Sequence, residues 1–532
     1  MPRSKPTSRT RLLVGVLASA VLVVGCGDAR KVTPAPASPA ASTATSQGPA
    51  SPGTASPGPA SPGTASPAVS SPGVALKLLK TDPETGPVGT SVTITGSGLP
   101  SGKTAQLIWV TQDGRYDTKL DNNRVEFYER VFKEKRVSLG SAPIDGEGKA
   151  TLKFNAPEDF GEVHDLYLAV DGQDVAKGGF RLNRTYTVSP REGPVGTLIT
   201  IKITGVGWKA FESTTALRYD NKYTGFITAT TTRGTAVAQI RASGPVGKHY
   251  LSLDGASHTL PYLNMQQSPV AFLFPYRAEF NVTADAGAPK ATVDWPDPSA
   301  ISLADATQRT TLTGKAVAGA AATISPATGP VLTQATFRAT GLPANSTADL
   351  VWVTVTGNDL FGWKLSKEKV SEVTIGADGS VTKAVTIPDG LGGWHALALE
   401  KNQVSLVDAP FFIERSLIEV TPSVVKAGAV FNVHLKGVGW TEIDNGVAVT
   451  YDNAYIGYAC GFASYGDVVV PIQATGGPGT HLIDLYPMIY DGGHGKWPWQ
   501  YNMPLLTFAQ DHPSLALGYK LPAFRLAIQV VE

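Results

Sequence analysis

Histidine is the side chain best suited to proton transfer and metal ligation near neutral pH, and this chain has eight. Four of them, His164, His249, His395 and His481, stand in one register, in "HDLYL", "HYLSL", "HALAL" and "HLIDL". A metal site needs several ligands converging on one point, and a nucleophilic site needs a base within hydrogen-bond reach of its nucleophile. One histidine per repeated segment meets neither condition, because separated segments cannot pool their rings. These four are expected to be strand positions whose rings pack at a core edge and bond a loop carbonyl. The remaining chemistry is thin. The sequence has no G-x-S-x-G elbow, no H-E-x-x-H pair, no Walker loop and no dinucleotide fingerprint. Cys460 has no histidine or second cysteine at ligand spacing, and Thr228 stands at its place in an earlier copy of a long repeat. No catalytic residue, metal ligand or cofactor is expected.

That repeat organises the chain. "GVGW" occurs at 205–208 and at 437–440, and "LRYDNKYTGF" at 217–226 matches "VTYDNAYIGY" at 449–458, both 232 residues apart. Upstream, "DPETGPVGTSVTITGSGLPSGKTAQLIWV" at 82–110 is similar to "SPATGPVLTQATFRATGLPANSTADLVWV" at 325–353, an offset of 243. The offset falls to 231 by His164 and His395, so the first segment carries about twelve extra residues around 113–137. The order is therefore A-B-A′-B′. Short Val/Ile/Thr-rich runs between turn residues predict strands throughout, and only the N-terminus keeps a long apolar run. Such strands need a second sheet over their apolar face, which makes each unit a β-sandwich. In "ITGVGWKAF" the glycines suit a strand that bends, with Trp208 or Trp440 over the core edge. "YDN" reads as a hairpin turn, since Asp and Asn tolerate the left-handed conformation. The alternative is a binding motif on Asp220/Asn221 and Asp452/Asn453, although two oxygens per copy fall short of a calcium cage.

Each unit opens on an x-Pro turn, "DPETGPVGT", "SPREGPVGT", "SPATGPVLT" or "TPSVVKAGA". A strand follows, then a Gly-centred break, then the histidine strand. This grammar resembles the IPT/TIG family of immunoglobulin-like domains over nearly all of 78–283 and 322–531. The resemblance implies an all-β chain of four tandem Ig-like sandwiches. It says little about activity, because such domains recur in receptors, enzymes and transcription factors. The boundaries drawn from the repeats are 77–185 for module A, 186–285 for B, 286–320 for a linker, 321–415 for A′ and 416–532 for B′.

The N-terminus reads as an address. Arg3, Lys5, Arg9 and Arg11 precede "LLVGVLASAVLVV", which is short for a spanning helix and suited to a signal peptide. The run ends in "LVVGC" and resembles a bacterial lipoprotein signal over residues 1–25. That resemblance implies cleavage before Cys26, lipidation of its thiol and acylation of its new amino group, an anchor in membrane lipid that several acyl chains make durable. Residues 26–76 follow as a tether, uncharged from Val32 to Ala75 and carrying "PASPGTASPG" and "PASPGTASPA" in tandem. Its composition cannot bury enough apolar surface to order it. About forty such residues reach roughly 120 Å if polyproline-like and roughly 35 Å as a coil. A net charge of +1 gives no reason to expect nucleic acid as a partner.

Three regions depart from the repeat and so are the places to look for specificity. "TQDGRYDTKLDNNRVEFYERVFKEKR" in A is expected to be a solvated hairpin extension. "YDGGHGKWPWQYNMP" at 490–504 offers His494, Trp497, Trp499 and Tyr501 as candidate ligand-binding groups, with an inter-module packing plug as the competing reading. "GNDLFGWKLSKEK" at 357–369 is expected to be a loop tip carrying Phe361 and Trp363. The function expected is a non-enzymatic, lipid-anchored cell-surface protein for adhesion, envelope organisation or ligand binding, with an envelope glycan or surface protein as partner. A carbohydrate-binding protein is the alternative. An envelope hydrolase would need paired carboxylates in a cleft between B and A′.

Overall fold

The computed structural model describes residues 75–121, 124–257, 259–267, 275–297, 317–358, 362–490 and 502–532. All of them fall in one compact unit spanning Pro72–Glu532. The architecture is all-β, with four Ig-like sandwiches in tandem. Ser91–Gly96, Leu198–Thr204, Gln334–Thr340 and Val430–Lys436 each bury every second residue, the alternation of a strand with one face on a core. Each is the middle strand of a three-stranded sheet. The opposing sheet is built around the histidine strand, Glu162–Val170 in A, Gly247–Ser257 in B, Gly393–Lys401 in A′ and Gly479–Pro487 in B′. Its neighbour, Thr104–Asp121, Thr215–Tyr219, Thr347–Asn358 or Gly446–Tyr451, begins a hairpin with a register shift at the same place in every module.

The x-Pro turns sit where the chain changes sheets. Ser189–Pro190 is one of four cis prolyl bonds among the described residues, one per module. Before it, Thr185–Ser189 pairs in the small sheet, and after it Glu192–Gly193 joins the large sheet in parallel. The tight turn that follows needs a left-handed residue, supplied by Gly89, Gly196 and Gly428 in three modules. Module A′ has Leu332 there, at φ 64°, with its amide bonded to the Ile387 carbonyl as the Gly196 amide is to Ala242.

The modules are not isolated beads. The long hairpin of A, Thr104–Asp121 with Arg124–Pro143, was expected to lie in solvent, but it carries Tyr116 and Phe127 into a buried cluster. Phe226 of B, Phe412 of A′, and Ile443, Leu505 and Leu517 of B′ join that cluster, so all four modules contribute to one core. The Phe127 amide donates to Glu442 of B′ at 2.9 Å. Asp511 of B′ accepts from the amides of Thr230 and Thr231 in B, at 2.7 and 2.9 Å, and from the Tyr116 hydroxyl of A at 3.1 Å. Inside the segment expected as linker, Thr292–Asp294 pairs with the last strand, Ala523–Val531, and Asp294 holds Arg525 at 2.7 Å.

Removing the ring that A contributes should loosen the whole assembly. Phe127→Ala is expected to cost about 3–5 kcal/mol, read as a lower denaturation midpoint, because its cavity is walled by other modules. Leu332→Gly should do the reverse. The left-handed conformation costs an L-residue about 1–2 kcal/mol, glycine returns about half of that as unfolded-state entropy, and this side chain is 57% exposed, so a net gain of about 0.5–1 kcal/mol is expected in thermal melts.

Candidate functional site

The repeated "GVGW" is the joint between paired modules rather than a cap on one core. Gly205 and Gly437 adopt φ of 70° and 69°, which turns their carbonyls toward the preceding module. A Cβ on Gly161 of A would collide with the Gly205 carbonyl, and one on Gly392 of A′ with the Gly437 carbonyl. The two backbones therefore touch directly, and the Gly161 and Gly392 amides donate to the Val206 and Val438 carbonyls at 3.1 and 2.9 Å. Arg184 and Arg415 clasp each joint from the module boundary, Arg415 donating to the Asp444 and Gly446 carbonyls at 2.6 and 3.0 Å. Trp440 is fully buried there, edge to face with Trp363 at 5.8 Å, so Trp363 is a joint residue and not a loop tip.

The two joints differ in their acidic groups. In A–B, the Glu162 carboxylate accepts from the Trp208 and Lys209 amides at 3.1 Å each and pairs with the Lys209 ammonium at 2.7 Å. Burial, and then the hydrogen bond and negative field of Glu162, push the neighbouring Glu212 carboxyl up to about 8. Glu212 therefore favours its protonated, neutral form beside the Glu162 carboxylate. In A′–B′ the places are taken by Gly393 and Asp444, and Asp444 turns onto the Thr441 amide and hydroxyl at 2.8 and 2.6 Å.

All four register histidines bond the carbonyl four residues earlier through Nε2: Phe160, Pro245, Leu391 and Gly477, at 2.7–2.9 Å. Each ring also stacks on an aromatic of the adjacent strand, Trp109, Tyr219, Trp352 or Tyr451. Beyond this they diverge. His249 and His481 set Nδ1 against Asp220 and Asp452, both at 2.6 Å, and these are the aspartates of "YDN". Asp220, Asn221, Asp452 and Asn453 all have φ between 46° and 63°, the left-handed pair that a tight hairpin requires. The bond to Asp452 raises the His481 pKa, so that ring favours the doubly protonated form. His395 has no carboxylate partner, and burial lowers it to about 4, leaving a neutral ring that donates through Nε2.

The fold does bring two of these histidines to one place, which their sequence separation did not suggest. A cavity of about 350 Å³ between B and B′ is lined by Asp220, His249, Asp285, Asp452 and His481. Its groups are already engaged. Every oxygen of Asp220, Asp452 and Asp285 meets a donor: the Tyr250 amide and His249, the Leu482 amide and His481, and the Thr480 and Gly287 amides with the Thr480 hydroxyl. The carboxylates lie between B and B′, not between B and A′. Among the described residues no group of three or more His, Cys, Asp or Glu side chains is arranged to hold a metal ion.

Cys26, His494, Trp497, Trp499 and Tyr501 lie outside the described residues. The two roots of 491–501 are fixed. Tyr490 meets Tyr458 and Phe462 edge to face at 6.3 and 5.8 Å, and the Tyr455 hydroxyl donates to the Asn502 carbonyl at 2.5 Å. Beside them, Ile456, Tyr458 and Tyr465 expose about half of their surface. The composition of the hairpin around "YDN" carries no signal for this aromatic surface, because the same strand in B packs against B′. Past the second root, Leu505, Leu506 and Phe508 are buried between B and B′, where the Phe226 amide donates to the Pro504 carbonyl at 2.9 Å. No described helix is long and apolar enough to cross a membrane.

No protein-family model matches the chain, and no curated protein matches it. Among solved structures, invasin, a bacterial integrin-binding protein, is 11% identical, covering 80% of this chain and 78% of its own at a TM-score of 0.18. A D1–D4 ectodomain fragment of ICAM-5 is 12% identical over 85% of this chain and 99% of its own, with a TM-score of 0.18. A membrane-anchored protein from Corynebacterium diphtheriae is 11% identical over 63% of this chain and 91% of its own, with a TM-score of 0.16. These values place no residue of this chain in correspondence with a residue of those proteins.

The raised Glu212 carboxyl at the A–B joint has a pH signature. A carboxyl raised to about 8 in the folded chain binds a proton that the unfolded chain, at about 4.5, releases, so stability falls as pH rises through that interval. Glu212→Gln mimics the protonated group. Its melting temperature should match wild type near pH 5 and exceed it near pH 9.

Proposed function

We propose that this chain is a non-enzymatic lipoprotein of the cell surface, anchored through Cys26 and displaying four IPT/TIG-like modules for adhesion, envelope organisation or ligand binding. The observation that carries this reading is where the reactive side chains go. The histidines and aspartates that recur in the modules are each consumed by contacts within the fold. What remains outward beside the roots of 491–501 is apolar and aromatic: Ile456, Tyr458 and Tyr465. Flat rings with a hydroxyl at one end are the groups that stack on sugar faces and anchor protein interfaces. That surface favours an envelope glycan or a surface protein as ligand, with Trp497 and Trp499 as further stacking groups.

The test is retention of the full chain on envelope fractions. The combined variant Tyr458→Ala, Tyr465→Ala should lose binding, as should Trp497→Ala with Trp499→Ala, each with wild-type circular dichroism. Unchanged retention by both folded variants would move the site off this face. Cys26→Ser should shift the protein from the membrane to the soluble fraction or leave it unprocessed, and an unaltered distribution would defeat the anchor.

A further inference from the structure

Within the chain, B′ grips B asymmetrically. The large-sheet face of B′ takes the outer edge of the small sheet of B, Ala236–Arg241. Arg241 pairs with Asp484 at 2.5 Å, Arg525 donates to the Gln239 carbonyl at 3.1 Å, and Asn453 donates to the Arg241 carbonyl and the Ser243 hydroxyl at 2.7 and 2.8 Å. Because B and B′ are copies, each carries both halves of this contact. Among the described residues only one half of each is used. The edge of B′ that corresponds to Ala236–Arg241 is Val468–Gln473, and its Val469, Pro471, Gln473 and Thr475 are exposed. The face of B that corresponds to the gripping face of B′ is also open. It holds a hollow of about 640 Å³ lined by Asn221, Tyr250, Ser252, Arg277 and Glu279, with Tyr250 53% exposed.

The unused halves match each other. Arg277 stands opposite Ser252 in the sheet as Arg525 stands opposite Asp484, so it is placed to reach the Pro471 carbonyl as Arg525 reaches that of Gln239. A carboxylate steadies it, Asp254 at 3.0 Å. Asn221 has the same left-handed turn as Asn453 and is exposed, opposite what would be the Gln473 carbonyl and the Thr475 hydroxyl, where Asn453 has a carbonyl and the Ser243 hydroxyl. The central pair changes on both sides together: Arg241 becomes Gln473 and Asp484 becomes Ser252. A buried ion pair within the chain is thereby replaced by a neutral amide and hydroxyl, which a contact that opens and closes can desolvate at lower cost. Pro471 has no N–H, which discourages continuous strand pairing along this edge and leaves side-chain docking.

We infer that the large-sheet face of B binds the Val468–Gln473 edge of B′ in a second copy of this chain, repeating between molecules the contact that B′ makes on B within one. Such a contact is heterologous, so it builds head-to-tail rows rather than closed dimers. The test is sedimentation of the full chain in non-ionic detergent over a concentration series. Association should grow with concentration, and Tyr250→Asp and Val469→Asp, both at exposed positions, should each weaken it about tenfold or more. Ser252→Asp and Gln473→Arg should each weaken it alone and together restore it, because the pair rebuilds the Arg241–Asp484 chemistry across the new contact. A chain that stays monomeric throughout, or association that Tyr250→Asp and Val469→Asp leave unchanged while the melts stay wild type, would overturn the inference.

Discussion

The core shared by all four modules constrains everything else. Tyr116 and Phe127 of A, Phe226 of B, Phe412 of A′ and Leu505 of B′ leave water together, so no module reaches its full burial alone. The polar groups in that core have nowhere else to go. Asp511 satisfies two B amides and the Tyr116 hydroxyl of A, and Glu442 satisfies the Phe127 amide. An unmatched amide or carboxylate at that depth would cost as much as a large core substitution. The hub therefore fixes the relative placement of modules that tandem sandwiches usually leave to their linkers.

The two A–B joints are one device with two electrostatic settings. Direct backbone contact at Gly161–Gly205 and at Gly392–Gly437 sets the approach in each. What differs is the number of acidic groups buried there. A′–B′ keeps a single one, Asp444, and ties it to Thr441. A–B keeps two, Glu162 and Glu212, and burial beside Glu162 pushes the Glu212 carboxyl toward its neutral form. The A–B joint is thereby destabilised as pH rises through the range in which Glu212 loses its proton.

The repeated histidines illustrate how one structural role produces different protonation states. In A′ the ring is buried with a single carbonyl partner and stays neutral, whereas in B′ a carboxylate on the second nitrogen makes the charged ring favourable. The carboxylate is present because the hairpin turn of the B-type modules uses aspartate, and the turn needs aspartate or asparagine for its backbone. Turn chemistry and histidine charge are thus linked through Asp220 and Asp452. That link places an Asp–His pair on each side of the cavity between B and B′.

Much of the local order was legible in the residues. Period-two burial in "SVTITG" and its counterparts, the x-Pro turns, the Asp-Asn hairpins and the carbonyl-bonded histidines follow from short-range preferences that a strand or turn imposes wherever it sits. Those preferences determined four all-β modules in the order A-B-A′-B′. The tertiary structure alone decided where charged, aromatic stretches would go. "GRYDTKL" and "RVEFYERVF" alternate like a hairpin whether their apolar face meets water or three other modules, so nothing local marked Tyr116 and Phe127 as core. "GVGW" likewise calls for a bent strand, but the glycine it touches lies 44 or 45 residues earlier in another module. The meeting of His249 with His481 across 232 residues depended on B′ folding back onto B, through the Arg241–Asp484 pair and the segment after 502. Packing between domains is set by surfaces assembled from many distant residues, and a sequence read along its length carries no period for it.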